Sequence, residues 1–219
     1  MNLIKSNRVI FPEPATKGGK MAICGSKSAL LIVDVQNDFC PGGALPVAEG
    51  DSIIPVLNRY CALFVEKGLP VFMSRDWHPE ITSHFKVFGG IWSAHCVMGS
   101  KGAEFHPGMK LPDKAVIISK GMNPSKDDYS AFDGFDKYGK SFSEILRNLA
   151  VTKLFVGGLA TDYCVKESVL AALQHGISVT LLEDAIRGVD IKPGNSATAI
   201  AEMKAAGAES DILSTIVLS

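Results

Sequence analysis

Ala29-Leu-Leu-Ile-Val-Asp-Val35 is a continuous apolar run with a carboxylate near its end, which is how a strand buried on both faces of a parallel sheet reads. Working outward, Asp51 to Lys67 repeats apolar residues at helical spacing (Ile54, Val56, Leu57, Tyr60, Leu63, Phe64), and Gly68-Leu-Pro70 stops the helix. Further strands are predicted at Pro70 to Ser74, Ala115 to Lys120, Lys153 to Gly157 and Ser178 to Glu183, with a last one within Asp211 to Leu218. Helices are predicted around Phe142 to Leu149, Asp162 to His175 and Pro193 to Ala206. Strand and helix alternate, so the fold class is α/β, a parallel sheet covered on both sides. In such sheets the chemistry gathers at the carboxyl ends of the strands.

The 219 residues suit one domain with a substantial core. Lys plus Arg (22) nearly balances Asp plus Glu (23), so the net basic field that phosphate-backbone binding needs is missing and nucleic acid is not the expected partner. Apolar runs such as Ala29 to Val33 and Ile177 to Leu182 fall far short of the roughly 20 residues that span a bilayer, which also excludes a membrane as partner. Residues 1 to 26 carry Lys5, Arg8, Lys17 and Lys20 against Glu13 alone, without the apolar segment of a signal peptide. They read as an N-terminal arm, with residues 27 to 219 as the single domain. Cys24, Cys40, Cys61, Cys96 and Cys164 are an odd set without disulfide-like spacing, which suits a reducing compartment and a cytoplasmic protein.

Two connections, Asp76 to Asp113 and Gly121 to Lys140, are long for a compact domain. The first holds four of the five histidines and both tryptophans. Asp76-Trp-His78, His84 and Trp92-Ser-Ala-His95 form a carboxylate-plus-imidazole set suited to an open divalent zinc, iron or manganese site. Cys96 is a rival ligand by adjacency, whereas His106 and His175 read as surface or capping residues.

In Phe155-Val-Gly-Gly-Leu-Ala-Thr-Asp-Tyr-Cys-Val-Lys166 a buried strand runs through two glycines into a helix. Cys164 therefore sits near a helix N-terminus, where backbone N–H groups and the helix dipole favour a thiolate and offer bonds to an oxyanion. The alternative is a buried packing cysteine. Asp34 and Lys120 end predicted strands on the same side of the sheet. The carboxylate can take the thiol proton and hand it to a departing amine while the lysine stabilises the anions. The plainer alternatives are a turn cap for Asp34 and a solvated strand end for Lys120.

Taken together, Ile32-Val-Asp-Val-Gln-Asn-Asp-Phe39 with Gly42-Gly43, Asp76-Trp-His-Pro79, His95-Cys-Val97, Asp128-Tyr-Ser-Ala-Phe132 and Ala160-Thr-Asp-Tyr-Cys-Val165 resemble the nicotinamidase (pyrazinamidase) branch of the isochorismatase-like cysteine hydrolases. The resemblance spans about residues 28 to 218. It implies a three-layer α/β/α fold with a six-stranded parallel sheet of order 3-2-1-4-5-6. It implies hydrolysis of nicotinamide to nicotinic acid and ammonia in NAD salvage, through a thioester on Cys164, with Asp34 as acid-base group and Lys120 completing the triad. Ala160 and Cys164 would supply the oxyanion N–H groups, the Leu159–Ala160 bond being cis. One divalent ion, zinc foremost with iron or manganese as alternatives, would lie on Asp76, His78 and His95 and bind the pyridine nitrogen. The fourth ligand varies among relatives; many have His at the position of Thr82, and here His84 takes the place. Phe39, Trp92 and Tyr129 would line the substrate pocket. The oligomeric state, a homo-oligomer included, stays open. The competing activities are hydrolysis of a carbamoyl or ureido amide, or of a vinyl ether. A nucleotide-binding module is disfavoured because Gln36-Asn-Asp-Phe39 lacks the glycine fingerprint of such turns.

Overall fold

The computed structural model describes residues 23–218. Most of the predicted arm, residues 1 to 22, lies outside the described residues. Strands β1 (Ile23–Cys24) and β8 (Val217–Leu218) pair in a small parallel ribbon. The main sheet contains β2 (Ser28–Val33), β3 (Val71–Asp76), β4 (Val116–Lys120), β5 (Lys153–Leu159), β6 (Ser178–Arg187) and β7 (Glu209–Asp211). Its order is β4-β3-β2-β5-β6-β7 and every pairing is parallel. Numbered within this sheet, the order is the implied 3-2-1-4-5-6.

Side chains of β2 alternate between two apolar layers, as a period of two requires. Leu30 and Ile32 join Leu57, Tyr60 and Phe64 of helix α1 (Ile54–Glu66) on one face. Leu31 and Val33 face the layer built by Phe142, Ile145 and Leu146 of α2 (Phe142–Asn148), Val169 and Ala172 of α3 (Lys166–Gln174), and Met203 of α4 (Asn195–Ala205). Burying each large apolar side chain contributes about 1.5–3 kcal/mol. The sheet is consequently a rigid base for whatever its carboxyl edge carries. Among the described residues, no helix is long and apolar enough to cross a membrane.

Several boundaries differ from the sequence reading: β3, β5 and β6 run on to Asp76, Leu159 and Arg187, past the predicted Ser74, Gly157 and Glu183, and three further differences bear on the site or the sheet edge. The first core strand ends at Val33 and not Val35, because Asp34 turns into the left-handed region at φ 48°. The predicted helix over Asp162 to His175 opens as a π turn at Thr161–Val165 before α3 begins at Lys166. The strand predicted within Asp211 to Leu218 is found as β8, Val217–Leu218, but it pairs with β1, and the last strand of the main sheet is Glu209–Asp211. Glu209 and Ser210 are exposed at the sheet's edge, so no apolar run announces them, whereas the apolar residues after Asp211 mark the strand that pairs with β1.

Candidate active site

Strand register sets the first half of the site. Asp76 and Lys120 are paired neighbours at the carboxyl ends of β3 and β4, and Asp34 follows the last residue of the adjoining β2. The Lys120 ammonium consequently lies 2.8 Å from Asp34 Oδ2, contacts Asp76 Oδ1, and stands 3.3 Å from Cys164 Sγ. The Ser74 hydroxyl donates to Asp34 Oδ1 at 2.7 Å. Lys120 is 1% exposed, which rules out a solvated strand end. Cys164 follows the cis Leu159–Ala160 bond and lies in the π turn leading into α3, where the chain leaves the sheet over Gly157 and Gly158. At Gly158 φ is +123°, and a Cβ there would fall within 2.1 Å of the Val33 carbonyl oxygen.

Protonation is governed by burial and by the ammonium. Burial raises the Asp34 carboxyl above its ordinary value, against the pull of Lys120 and with added repulsion from Asp76. Burial pushes the Cys164 thiol well up, again opposed by Lys120. Burial alone would lower Lys120, but Asp34 and Asp76 outweigh it and hold the ammonium well above its ordinary value. For Asp76, burial is outweighed by Lys120 and by His78, so its carboxyl stays well below the usual range. The arrangement is a protonated thiol beside a basic carboxylate, with a fixed cation between them.

The second half of the site is loop-borne. His78, His84 and His95 are buried and offer ligand atoms within 4.8 Å of one another. Each outer ring nitrogen has a partner: His78 Nδ1 meets the Gly121 carbonyl at 3.0 Å, His84 Nδ1 the Asp127 carboxylate at 2.5 Å, and His95 Nδ1 the Ser93 carbonyl at 2.7 Å. That fixes the tautomers and leaves each Nε2 available as a lone-pair donor. His78 Nε2 is buried without a hydrogen-bond partner. Asp76 Oδ2 lies 3.6 Å from His78 Nε2 and 3.8 Å from His95 Nε2. Burial lowers His95 to about 4, and lowers His84 as well, with Asp127 opposing the shift at His84. Three imidazoles and one carboxylate, with an orphaned buried nitrogen among them, fit a divalent first-row ion.

The two halves meet at one pocket lined among others by Phe39, Trp92, His95, Tyr129, Ala160 and Cys164. Trp92 Nε1 donates to the Tyr129 hydroxyl at 2.9 Å, and Trp92 stands edge-on to Tyr163. The aromatic side chains that line it suit the faces and edges of a flat ring.

The isochorismatase domain family matches residues 28–211. The chain belongs to the isochorismatase family. Within that family it is 44% identical to Escherichia coli nicotinamidase over 82% of this chain and 92% of the relative. It is 34% identical to the nicotinamidase/pyrazinamidase of Mycobacterium tuberculosis over 83% and 96%. The pyrazinamidase of Pyrococcus horikoshii, solved in complex with zinc, superposes with a TM-score of 0.79 at 45% identity, over 85% of this chain and 99% of that one. PnC1 from L. infantum, solved in complex with nicotinate, gives 0.79 at 33% identity over 91% and 100%.

In this family member Phe39, Asp76, His84, Trp92, His95, Tyr129, Ala160 and Cys164 line the pocket. Lys120 and His78 lie behind it against Cys164 and the other imidazoles, and Asp34 is reached through Lys120, while Cys96 does not join the imidazoles as a ligand. It is buried, and its backbone N–H donates to Asp38 Oδ2 at 2.7 Å. Thr82 is buried too, its hydroxyl accepting from the His84 N–H at 3.3 Å. Sequence reasoning missed Leu45, Tyr163 and Val189 in the lining, and it missed Gln36. The Gln36 amide accepts from the Asp76 N–H and donates to the Asp76 carbonyl, both at 2.8 Å. A buried glutamine after a strand was the available signal, since such a group has to find partners.

Proposed function

We propose that this isochorismatase-family protein is an amidohydrolase that converts nicotinamide and water to nicotinic acid and ammonia, a step of NAD salvage. Cys164 Sγ attacks the carboxamide carbon as Asp34 takes the thiol proton, giving a tetrahedral intermediate. The Ala160 and Cys164 N–H groups hold its oxyanion. Asp34 then passes the proton to the leaving nitrogen, ammonia departs, and a thioester remains. Water, activated by Asp34, hydrolyses the thioester and restores the thiol. Lys120 keeps its charge throughout and steadies the anionic states of Asp34 and Cys164.

Asp76, His78, His84 and His95 would hold one divalent ion, zinc foremost. Bound there, it would take the pyridine nitrogen, directly or through a water, and so fix where the ring lies. Phe39, Trp92 and Tyr129 flank the ring. The observation that carries the reading is that Asp76 belongs to both halves of the site, one oxygen on Lys120 and the other beside two imidazoles. Such a shared residue ties the ring's anchor to the amide's attacker. A mere packing cysteine would need neither. Cys40, Cys61, Cys96 and Cys164 are all free, which supports placing the reaction in the reducing cytoplasm. Residues 27 to 219 act as the catalytic domain and the first 26 as an arm.

The test is ammonia release from nicotinamide before chelation, after it, and after zinc, iron or manganese is returned. Activity lost on chelation and restored by metal supports the reading. Full activity in metal-free protein, or turnover of a ureido substrate in place of nicotinamide, overturns it.

A further inference from the structure

The imidazole group sits on one loop but is braced by another. Segment 121–129 supplies the Gly121 carbonyl to His78 and the Asp127 carboxylate to His84. It also gives the Pro124 carbonyl to the Ser83 N–H at 2.8 Å and the Tyr129 hydroxyl to Trp92. Gly121 has to be glycine for this: its φ is +70°, and a Cβ would lie 2.4 Å from His78 Cε1. By contrast His95 is braced from within its own loop, by Ser93.

We propose that Asp127 is a positioning residue for the metal centre, its carboxylate taking the Nδ1–H of His84 and so presenting Nε2 to Asp76, His78 and His95. The inference deepens the metal-centre reading and rests on it. Three features carry it. Asp127 Oδ1 is 2.5 Å from His84 Nδ1, and His84 stacks on His78 with centroids 4.6 Å apart. The Asp127 side chain is half exposed whereas His84 is 5% exposed, so the carboxylate reaches in from the surface. Without that acceptor, the buried ring has two tautomers and can rotate, and only one arrangement offers a lone pair to the site. An anionic acceptor also makes the far nitrogen a stronger donor.

The experiment measures Zn²⁺ affinity of the full-length protein by competition with a chromophoric chelator, with no substrate present. Wild type, Asp127→Ala, His84→Ala and the double variant are compared. Asp127→Ala is expected to weaken zinc binding ~10- to 100-fold, the range typical when such an outer partner is lost. In the His84→Ala background the same substitution is expected to do almost nothing, because the residue through which it acts is gone. Asp127→Asn keeps a neutral acceptor of the same shape and should recover part of the affinity. It also replaces Asp127→Ala in the cycle if that variant does not fold. Equal losses in both backgrounds would mean that Asp127 acts as a general surface charge or through loop structure, and the proposal would fall. So would a change below about threefold on the wild-type background, well short of the ~10-fold loss expected when an outer partner of a ligand is removed. If wild type binds no zinc, or His84→Ala binds it as well as wild type, the assignment of His84 to a metal centre is what fails.

Discussion

The two halves of the site are built by different physics. Asp34, Lys120 and Cys164 stand at or just beyond strand ends, held by parallel pairing and by an apolar layer on each face. Their separations follow from the inter-strand spacing and can scarcely vary while the sheet is intact. His78, His84 and His95 stand on a connection without strands, and hydrogen bonds to carbonyls and a carboxylate hold them. A bond to a carbonyl is worth only ~0.5–1.5 kcal/mol net, and one to a carboxylate about 1.5–3 kcal/mol. In the proposed reaction bond making falls to the stiff half and ring holding to the adjustable half, with Asp76 at the joint. Damage to the first should stop chemistry in an intact fold, and damage to the second should loosen substrate first.

The sharpest way to break this division is Cys164→Ala, which should abolish ammonia release while zinc content and the unfolding transition stay as in wild type. Measurable turnover by that variant would remove the thioester. Loss of zinc along with activity would mean that the halves cannot be separated. Replacement of Cys40, Cys61 or Cys96 should spare the chemical step.

Asp34→Asn keeps shape and removes the proton acceptor, so kcat with saturating metal should fall by ~10²- to 10⁴-fold. Lys120→Arg keeps charge and changes reach, and it should fall severely too. The pH profile adds a sign. Because burial raises the Asp34 carboxyl, activity that needs it ionised should fall away on the acid side at a pH above the ordinary carboxylate range. On the alkaline side Lys120 is held well above its ordinary value and stays charged, so activity should persist through neutral pH. An acid limb at or below the ordinary carboxylate range would assign the base to another group.

Metal removal tests the other half through two substrates. Benzamide keeps the carboxamide and the flat ring but lacks the ring nitrogen, so it should be poor for the native enzyme. Chelation should then cost nicotinamide much more than benzamide, and the gap should narrow. Equal losses would make the ion structural, or would place it on the carbonyl, and ring holding would have to be reassigned. His78→Ala or His95→Ala should raise KM at least as much as it lowers kcat.

The same division explains what could be read without coordinates. Asp34 and Lys120 were legible because each ends an apolar run, and Cys164 because glycines and a helix start frame it. Strand order came from resemblance, since alternation of strand and helix fixes a parallel sheet but not its sequence of neighbours. Asp76, His78, His84 and His95 were legible by residue type alone. Their supports were not. Gln36 and Asp76 are 40 residues apart, and His84 and Asp127 are 43 apart, so no local spacing joins them. The edge strand Glu209–Asp211 escaped for a related reason: half-exposed edges carry no apolar signature.

The smallest effect is expected at the bond that spans the two loops inside the cavity. Tyr129→Phe keeps the aromatic wall and removes the hydroxyl that accepts the Trp92 Nε1–H. Trp92 is 7% exposed, so its N–H has little access to water as a substitute. A lost bond of ~0.5–1.5 kcal/mol corresponds to roughly a two- to tenfold weaker hold on the ring. The wall contributes equally to bound substrate and transition state, because the ring does not change as the amide breaks, so the loss should appear in KM with kcat untouched. Steady-state kinetics on nicotinamide give both constants. A drop in kcat larger than the rise in KM would show that Tyr129 acts on the amide itself. The boundary between the holding half and the reacting half would then have to be redrawn to pass behind Tyr129.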